Sequence, residues 1–570
     1  MHISISHRRL RATILFFFLL FTLCLSRLAY IQFFKSRYLS AIANQQHNLL
    51  IELEPLRGAF YDRNLKPQAF NLPCDSLYAS ARNIKDKETT IKKIKEIVGL
   101  DYAYLKSRLY RDKAFVWIAR KLPFDQVEKI KKLKLDGIGF VRESRRCYPN
   151  KSLAVHEIGF VGIDNTGLEG LEMFYDSYLK GTSGWAQVLR DARQNQLLWK
   201  DMLMPKNGQE IVLTIDEFIQ FVTERELDIA YRKFRAKGAS VIVMDPKTGE
   251  ILAMANRPTY DPNSPQNANL DARRNRAVAD MFEPGSVFKI VTASAALEEG
   301  TFKESDRFFC ENGSYKVANH ILHDHQPHGW LTFSHVIAES SNIGTTKIAQ
   351  GLGADIIYKY AAAFGFGKST GIYMPGEISG VLKAPKTWSK TSIGAVPIGH
   401  EVGVTALQLA CAISVIANGG VLMKPFIVKS IRYDSGEVID EYKPQEVRRV
   451  ISPATARRMK DILVLATEEG TGKLARVSDF KVAGKTGTAQ KIEPNGTYSH
   501  SKYIASFIGF APADDPLIAV VVTLDEPRPY YFGGVVAAPV FKRISQDVVN
   551  YLKLQRDGHE TFSITEKNRQ

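Results

Sequence analysis

The chain contains 570 residues, of which 45% are hydrophobic and 24% charged, and this globular composition excludes a disordered, collagen-like or low-complexity protein. Its five scattered cysteines are too few for a disulfide scaffold and form no CxxC pair, which argues against a zinc ribbon or a thioredoxin-like site. The net charge of +16 suits an anionic surface or substrate, but without a nucleic-acid-binding motif it does not predict binding to nucleic acid.

The first apolar segment begins at residue 12 and continues, after a break at Ser26 and Arg27, to residue 34. Its uninterrupted part is shorter than the roughly 20 residues that cross a bilayer, which leaves a cleaved signal peptide as an alternative. No small-residue cleavage site follows, however, and the Arg27 side chain can extend its charge to the interface. We therefore predict a cytoplasmic stub at residues 1–11 and a single transmembrane anchor at residues 12–34.

The charges that flank this anchor predict its orientation. Arginines precede it at positions 8, 9 and 11, and the cytoplasmic flanks of membrane spans are enriched in such residues. We therefore expect a single-pass protein of the cytoplasmic membrane, with the N-terminus in the cytoplasm and the rest of the chain on the extracytoplasmic side.

Three further regions follow. Residues 35–215 combine short strands with amphipathic helices and contain no candidate catalytic set. Residues 216–552 begin with a long helix, carry strand-turn-strand patterns near both ends and are mostly helical between them, which predicts one sheet of sequence-distant strands covered by helices. Residues 553–570 are polar and are predicted to form a frayed tail.

The strongest local pattern is EPGSVFK, which places Ser286 and Lys289 one helical turn apart. A serine hydroxyl is a poor nucleophile until a base removes its proton, and lysine serves as that base if burial makes its neutral form accessible. We expect Ser286 to open a helix, whose dipole favours developing negative charge. The pair therefore predicts acyl transfer.

The order of the motifs strengthens this prediction, because S-x-x-K alone occurs four times in the chain. The only S-x-N element, Ser340 to Asn342, follows Ser286 and precedes K-T-G-T at residues 485–488. This triplet is the signature of the penicillin-recognising serine acyltransferases, with Ser341 at the place of an Asp. We expect Ser340 to relay a proton to the leaving amine and Asn342 to hold the substrate amide and orient Lys289.

The third element is predicted to bind substrate. Lys485 supplies a fixed positive charge, and Thr486 and Thr488 offer hydroxyls to a substrate carboxylate. Gly487 allows the substrate to lie close to the strand edge. The backbone N–H groups of Ser286 and Thr488 are expected to form the oxyanion hole.

Two other segments are weaker indicators of function. The histidine-rich run from His320 to His328, with Asp324 inside it, suggests a metal site, but the proposed chemistry needs neither metal nor cofactor, so we expect none and assign the run to polar lining. The segment at residues 530–534, YYFGG, is predicted either to line the substrate cleft or to pack as a loop.

With these motifs, the chain resembles the class B penicillin-binding proteins, the peptidoglycan D,D-transpeptidases. Arg57-Gly58 and Tyr61–Asn64 are similar to the family's RG-x-I-x-DRNG opening, with Leu65 in place of the usual Gly, and Gly167–Glu172 is similar to its GxxGxE segment. The runs EPGSVFK, SSNIGTTKIA, AGKTGTAQ and VTALQLA are most similar to the division-specific branch.

This resemblance implies a multidomain protein. The expected parts are an N-terminal transmembrane helix, an elongated α+β pedestal of the dimerisation type at residues 35–215, and a penicillin-binding transpeptidase domain at residues 216–552. The transpeptidase domain is expected to contain an antiparallel five-stranded sheet covered by helices. The resemblance also implies septal cross-linking of stem peptides ending in D-Ala-D-Ala, β-lactams as inhibitors, and a membrane glycosyltransferase and other division proteins as partners. No glycosyltransferase-type region precedes Ser286, which disfavours the bifunctional class.

Several alternatives remain at this point. An elongation-type transpeptidase and a D,D-carboxypeptidase share the motifs, whereas a β-lactamase would need a deacylating base and a far shorter chain. A non-enzymatic β-lactam sensor or division scaffold is also possible, although the intact motifs argue against an idle scaffold and the short stub against a cytoplasmic output domain.

Overall fold

The computed structural model describes residues 7–40, 48–113, 115–190 and 196–567. The chain divides into two compact units, one formed by residues 1–56 and 181–207 and the other by residues 57–180 and 208–570. The predicted domain boundaries at residues 35, 215 and 552 are not tested by this division and stay predictions.

The first unit contains the apolar helix. It begins at His7 and runs as an α-helix to Ala29 and as a π-helical turn to Phe34, so the polar break at Ser26 does not interrupt it. The Ser26 hydroxyl donates to the carbonyl of Thr22, which satisfies it within the helix. With 28 residues, the helix is long and apolar enough to cross a membrane. An antiparallel sheet of three strands, Asn48–Leu53, Gly184–Arg190 and Gln196–Leu203, completes the unit.

The N-terminal part of the second unit is built on one long strand, Pro67–Ala79, which pairs with Ile138–Cys147 along its length and with Val116–Leu122 near its end. Three helices, Lys87–Val98, Tyr102–Leu109 and Phe124–Lys132, pack here around Leu77, Ile91 and Ile94 in a small core of their own. The helices predicted from the apolar spacing in this region are confirmed, with their lysines on the solvent side.

A five-stranded sheet forms the centre of the second unit. Its strands are β1 (Gly238–Met244), β2 (Ile251–Arg257), β3 (Ala483–Ile492), β4 (Tyr498–Ala511) and β5 (Ile518–Asp525). They are arranged in the order β2-β1-β5-β4-β3, and every neighbouring pair is antiparallel. The predicted sheet of strands from both ends of the domain is therefore confirmed, and β3 lies at its edge.

Helices cover both faces of this sheet, which explains why its central strands are apolar on both sides. Helices α1 (Glu217–Lys233) and α6 (Ala538–Lys567) pack on one face, where Val241, Val522 and Phe507 are buried. Helices α2 (Lys289–Glu298), α3 (Asn342–Leu352), α4 (Ala406–Ala417) and α5 (Pro453–Glu468) form the core on the other face with Ile242, Val521 and Ile508.

Shorter elements connect these layers. Further short helices are Val155–Ile158, Gly170–Phe174, Asp176–Leu179, Leu270–Arg273, Arg276–Ala279, Phe333–Ala338, Ala354–Ala363, Ser392–Ala395 and Gly533–Val536. Antiparallel strand pairs are Arg307–Phe309 with Trp330–Thr332, Ser314–Val317 with His320–His323, Val381–Leu382 with Val402–Gly403, and Val421–Met423 with Glu446–Arg449. Strands Phe60–Tyr61, Glu210–Leu213, Val428–Arg432 and Val438–Glu441 extend the sheet that contains Pro67–Ala79.

Helix α6 continues to Lys567, so it includes residues 553–567 of the predicted polar tail, and the boundary of that tail at residue 552 stays a prediction. Val548 and Val549 anchor the helix in the core, and once a helix is nucleated each added residue extends it at little cost.

Candidate active site

Ser286 lies in a tight turn in front of α2. Residues Gly285–Phe288 form a 3₁₀ turn that leads directly into the α-helix at Lys289, so Ser286 lies at the start of a helix, as predicted, and the first turn of that helix is a 3₁₀ turn. Gly285 has a φ of 58°, a left-handed conformation that glycine adopts without strain, and it starts the tighter turn. Val287 and Phe288 are fully buried and fix the turn to the core.

The Lys289 side chain is fully buried and joins the first two sequence elements. Its Nζ lies 2.6 Å from the carbonyl oxygen of Ser340, 3.2 Å from the Ser340 Oγ and 2.8 Å from the Asn342 Oδ1. Ser340 has a φ of 64°, which is uncommon for a residue with a side chain and directs both of its oxygens to this nitrogen. The predicted contact between Lys289 and Asn342 is therefore present.

Burial changes the protonation of Lys289. It lowers the pKa of this lysine to about 7, against the opposing effects of Asp324 and Cys310. A lysine with a pKa near neutrality has a large neutral fraction, which is the form that accepts a proton from a hydroxyl.

Asp324 is a site residue that sequence reasoning missed. Its carboxylate accepts hydrogen bonds from the Ser341 hydroxyl (2.6 Å) and from the backbone N–H of Ile343 (3.0 Å), so it binds the N-terminus of α3. The Asn342 amide in turn donates to the carbonyl of His323. In the sequence, Asp324 stands out only as a member of the histidine-rich run. The signal that could have indicated a carboxylate near the second element is Ser341, which occupies the position where the motif has Asp.

The histidine-rich run itself forms the end of a hairpin and the loop after it. Within the described residues, no group of three or more His, Cys, Asp or Glu side chains is placed to hold a metal ion.

The third element lies on the edge strand β3. Lys485 is fully buried, and its Nζ lies 3.3 Å from the carbonyl oxygen of Thr486. Burial, and then the nearby charge of Lys289, lowers the pKa of Lys485 well below its ordinary value. The positive charge predicted for Lys485 is therefore disfavoured by its surroundings, because two lysines share one buried region.

The two threonines of this element point to one face, as alternate residues of a strand do. The Thr486 hydroxyl lies 2.8 Å from that of Thr471, and Thr488 Oγ1 accepts a hydrogen bond from the N–H of Gly533 at 3.1 Å. The YYFGG segment therefore lies beside this element. Its Phe532 packs against His325, with 4.7 Å between ring centroids, so the segment contacts both the third element and the loop that holds the second.

Gly487 lies where the Ser286 turn packs on β3, and its predicted role toward the substrate stays a prediction. A Cβ atom there would lie 2.3 Å from Ser506 Oγ and 2.8 Å from Val287 Cγ1. The absence of a side chain thus allows the Ser286 turn to pack directly on β3, which brings the first and third elements together. The structure unites all three predicted elements in one site.

Comparisons with known proteins agree with this arrangement. Residues 239–546 match the penicillin-binding protein transpeptidase domain, and residues 52–213 match the penicillin-binding protein dimerisation domain.

The chain is 35% identical to "Stage V sporulation protein D" of Bacillus subtilis, over 95% of this chain and 85% of that protein. It is 31% identical to "Peptidoglycan D,D-transpeptidase FtsI" of Escherichia coli, over 94% of this chain and 90% of that protein. Among solved structures, penicillin-binding protein 3 of Mycobacterium tuberculosis in complex with aztreonam is similar, with a TM-score of 0.70, 30% identity, and coverage of 88% of this chain and 97% of that one. This chain therefore belongs to the class B penicillin-binding proteins, the serine-type peptidoglycan D,D-transpeptidases.

Proposed function

We propose that this transpeptidase cross-links stem peptides during septal cell-wall synthesis, through an acyl-enzyme on Ser286. The observation that carries the proposed chemistry is the buried Lys289 nitrogen, which contacts Ser340 and Asn342 and has a pKa of about 7. The resemblance of the motifs to the division-specific branch, together with the relative named FtsI, supports the septal role.

The proposed acylation half-reaction assigns a role to each of these groups. Neutral Lys289 removes the proton of the Ser286 hydroxyl as Oγ attacks the carbonyl carbon of the penultimate D-Ala. The backbone N–H groups of Ser286 and Thr488 stabilise the oxyanion of the tetrahedral intermediate. When the C–N bond breaks, the proton passes from Lys289 through the Ser340 hydroxyl to the leaving D-Ala amine. The product is a Ser286 ester of the shortened stem peptide.

The second half-reaction transfers the acyl group. The amine of an acceptor stem peptide attacks the ester carbonyl, and Lys289 takes the amine's excess proton and returns one to Ser286 as the ester bond breaks. Asn342 keeps Lys289 oriented throughout, because its Oδ1 holds the same nitrogen. The proposed half-reactions use only the substrate and these side chains, without a metal or cofactor.

The terminal carboxylate of the donor peptide is assigned to β3. Thr486 and Thr488 present hydroxyls on one face, and the nearby carboxylate of a bound substrate favours the charged form of Lys485, because an opposite charge raises the pKa of a buried amine. β-Lactams carry a carboxylate in a comparable place and use the same groups.

The proposed localisation rests on the apolar helix and the charges before it. The arginines before the apolar helix support a cytoplasmic N-terminus and an extracytoplasmic transpeptidase domain in a single-pass protein of the cytoplasmic membrane. Cross-linking also requires glycan strands, so a membrane glycosyltransferase and other division proteins are the proposed partners.

The test is labelling with fluorescent penicillin followed by peptide mapping of the adduct. The adduct is expected on Ser286 and persists for many minutes, and Ser286→Ala abolishes it without loss of fold because one hydroxyl contributes little to stability. Ser478→Ala is the matched control, since Ser478 belongs to another S-x-x-K run at the surface. An adduct on another serine refutes the site, and rapid hydrolysis indicates a β-lactamase.

Depletion of the protein in growing cells tests the septal role. Cells are expected to elongate without dividing, whereas swollen round cells would point to an elongation-type enzyme.

A further inference from the structure

The segment in front of Ser286 packs backbone to backbone on the loop at residues 399–404. Phe282 and Val404 exchange two hydrogen bonds, and the N–H of Gly285 donates to the carbonyl of Gly399 at 3.1 Å. Gly399 has a φ of 87°, and a Cβ atom there would lie 2.1 Å from the carbonyl oxygen of Gly285. The position of the Ser286 turn therefore depends on this loop.

A single carboxylate joins the two segments. Glu283 Oε2 lies 2.8 Å from His400 Nδ1, and Oε1 accepts hydrogen bonds from the N–H of Glu401 at 2.8 Å and from the Tyr498 hydroxyl at 3.2 Å. The Glu283 side chain is 11% exposed, so these contacts are made largely out of water. Glu401 has a φ of 59°, and such a left-handed residue persists only where its surroundings enforce it.

None of these four residues belongs to the S-x-x-K, S-x-N or K-T-G-T elements, although Glu283 is the first residue of the EPGSVFK run, three positions before Ser286. We propose that Glu283 and His400 form a positioning pair that fixes the Ser286 turn in its reactive geometry. The proposal rests on the proposed function, because it assumes that Ser286 is the nucleophile.

The physical reason is the shape of the Ser286 turn. A 3₁₀ turn is held by poorer hydrogen bonds than an α-helix, and Gly285 gives it backbone freedom. Contacts on the preceding residues therefore limit its movement. A displacement of about 1 Å at a reacting group can cost roughly a hundredfold in rate, while binding of the substrate elsewhere is unchanged.

The experiment measures acylation by fluorescent penicillin, separating the first-order acylation constant from the dissociation constant of the preceding complex. Glu283→Ala and His400→Ala are each expected to lower the acylation constant roughly ten- to a hundredfold and to leave the dissociation constant unchanged. His400→Asn keeps an N–H donor near the Nδ1 position, so it is expected to retain most of the rate.

The matched control is Glu299→Ala. Glu299 also accepts hydrogen bonds from a basic side chain and a tyrosine, Lys359 at 2.7 Å and Tyr360 at 2.9 Å, but it lies at the end of α2, away from the turn. This variant is expected to acylate like the unmodified protein. Melting temperatures are measured for every variant to confirm that it folds. If Glu283→Ala does not fold, the proposal is tested by comparing the acylation constants of His400→Ala and His400→Asn.

The outcomes are distinct. Normal acylation constants in both alanine variants overturn the proposal, as does a loss confined to the dissociation constant, or an asparagine variant as slow as the alanine variant. An adduct that maps to a serine other than Ser286 overturns the proposed function instead, and this is read from the unmodified protein alone.

Discussion

The low pKa of Lys289 predicts how acylation depends on pH. Only the neutral amine accepts the Ser286 proton, so the acylation rate constant should follow the neutral fraction of Lys289. Burial lowers the pKa from 10.5 to about 7. At pH 7 this raises the neutral fraction from about 0.03% to about half, roughly a thousandfold gain in active base.

The profile should therefore have a plateau above pH 8 and fall about tenfold per pH unit below pH 6. The assay is the rate of fluorescent-penicillin acylation between pH 5 and pH 9. A rate that is constant over this range refutes the assignment of Lys289 as a titrating base.

Two variants sharpen this test. Lys289→Arg keeps the charge but cannot accept a proton, so it should lose acylation almost as fully as Lys289→Ala. Asp324→Asn removes a negative charge that raises the pKa of Lys289, so the midpoint of the profile should move to lower pH. Near-normal acylation by the arginine variant would show that Lys289 acts only through its charge, and an upward shift in the asparagine variant would contradict the electrostatic argument.

Three further predictions concern other parts of the chain. Thr488→Val should slow acylation by carboxylate-bearing substrates roughly ten- to a hundredfold and that by matched amides much less, because a hydrogen bond to a charged group contributes about 1.5–3 kcal/mol; equal losses would place carboxylate recognition elsewhere. A chain truncated to begin at Tyr38 should bind penicillin in solution but fail to support growth, and failure to fold would reveal a structural role of the anchor. Glu157 is fully buried with no hydrogen-bond partner for its carboxyl oxygens among the described residues, and burial, then the charge of Glu224, raises its pKa well above the ordinary value. The unfolded chain loses this proton at a lower pH than the folded chain, so stability falls as pH rises above about 4.5, and the advantage of Glu157→Gln in melting temperature should grow between pH 4 and pH 8; a constant difference would contradict this.

Much of the fold was predictable because local patterns decide it. The apolar runs of β1 and β5 predict buried strands, and the spacing in Lys87–Val98 predicts an amphipathic helix with Asp86 as its N-cap residue in the structure. The strand order was not predictable in this way, because pairing β1 with β5 joins residues 275 to 287 positions apart. Such pairings depend on which faces are buried together, and the local sequence of a strand does not indicate its partner.

The candidate site likewise has some residues that the sequence predicts and others whose role depends on the fold. The order of its three motifs predicted Ser286, Lys289, Ser340, Asn342 and the residues of β3, because the chemistry requires these residue types in this order. The contribution of Asp324, by contrast, depends on a hairpin that brings its carboxylate to the N-terminus of α3.

By itself, the sequence determined which side chains could react: two serines, two lysines, an asparagine and two threonines in a fixed order. Only the tertiary structure decided what those groups do. It buries Lys289 until its pKa is about 7, places Lys485 beside it, and uses Gly487 to let the Ser286 turn pack on β3. The reason is physical: desolvation and close packing depend on every segment that surrounds a group, and those segments meet only when the chain has folded.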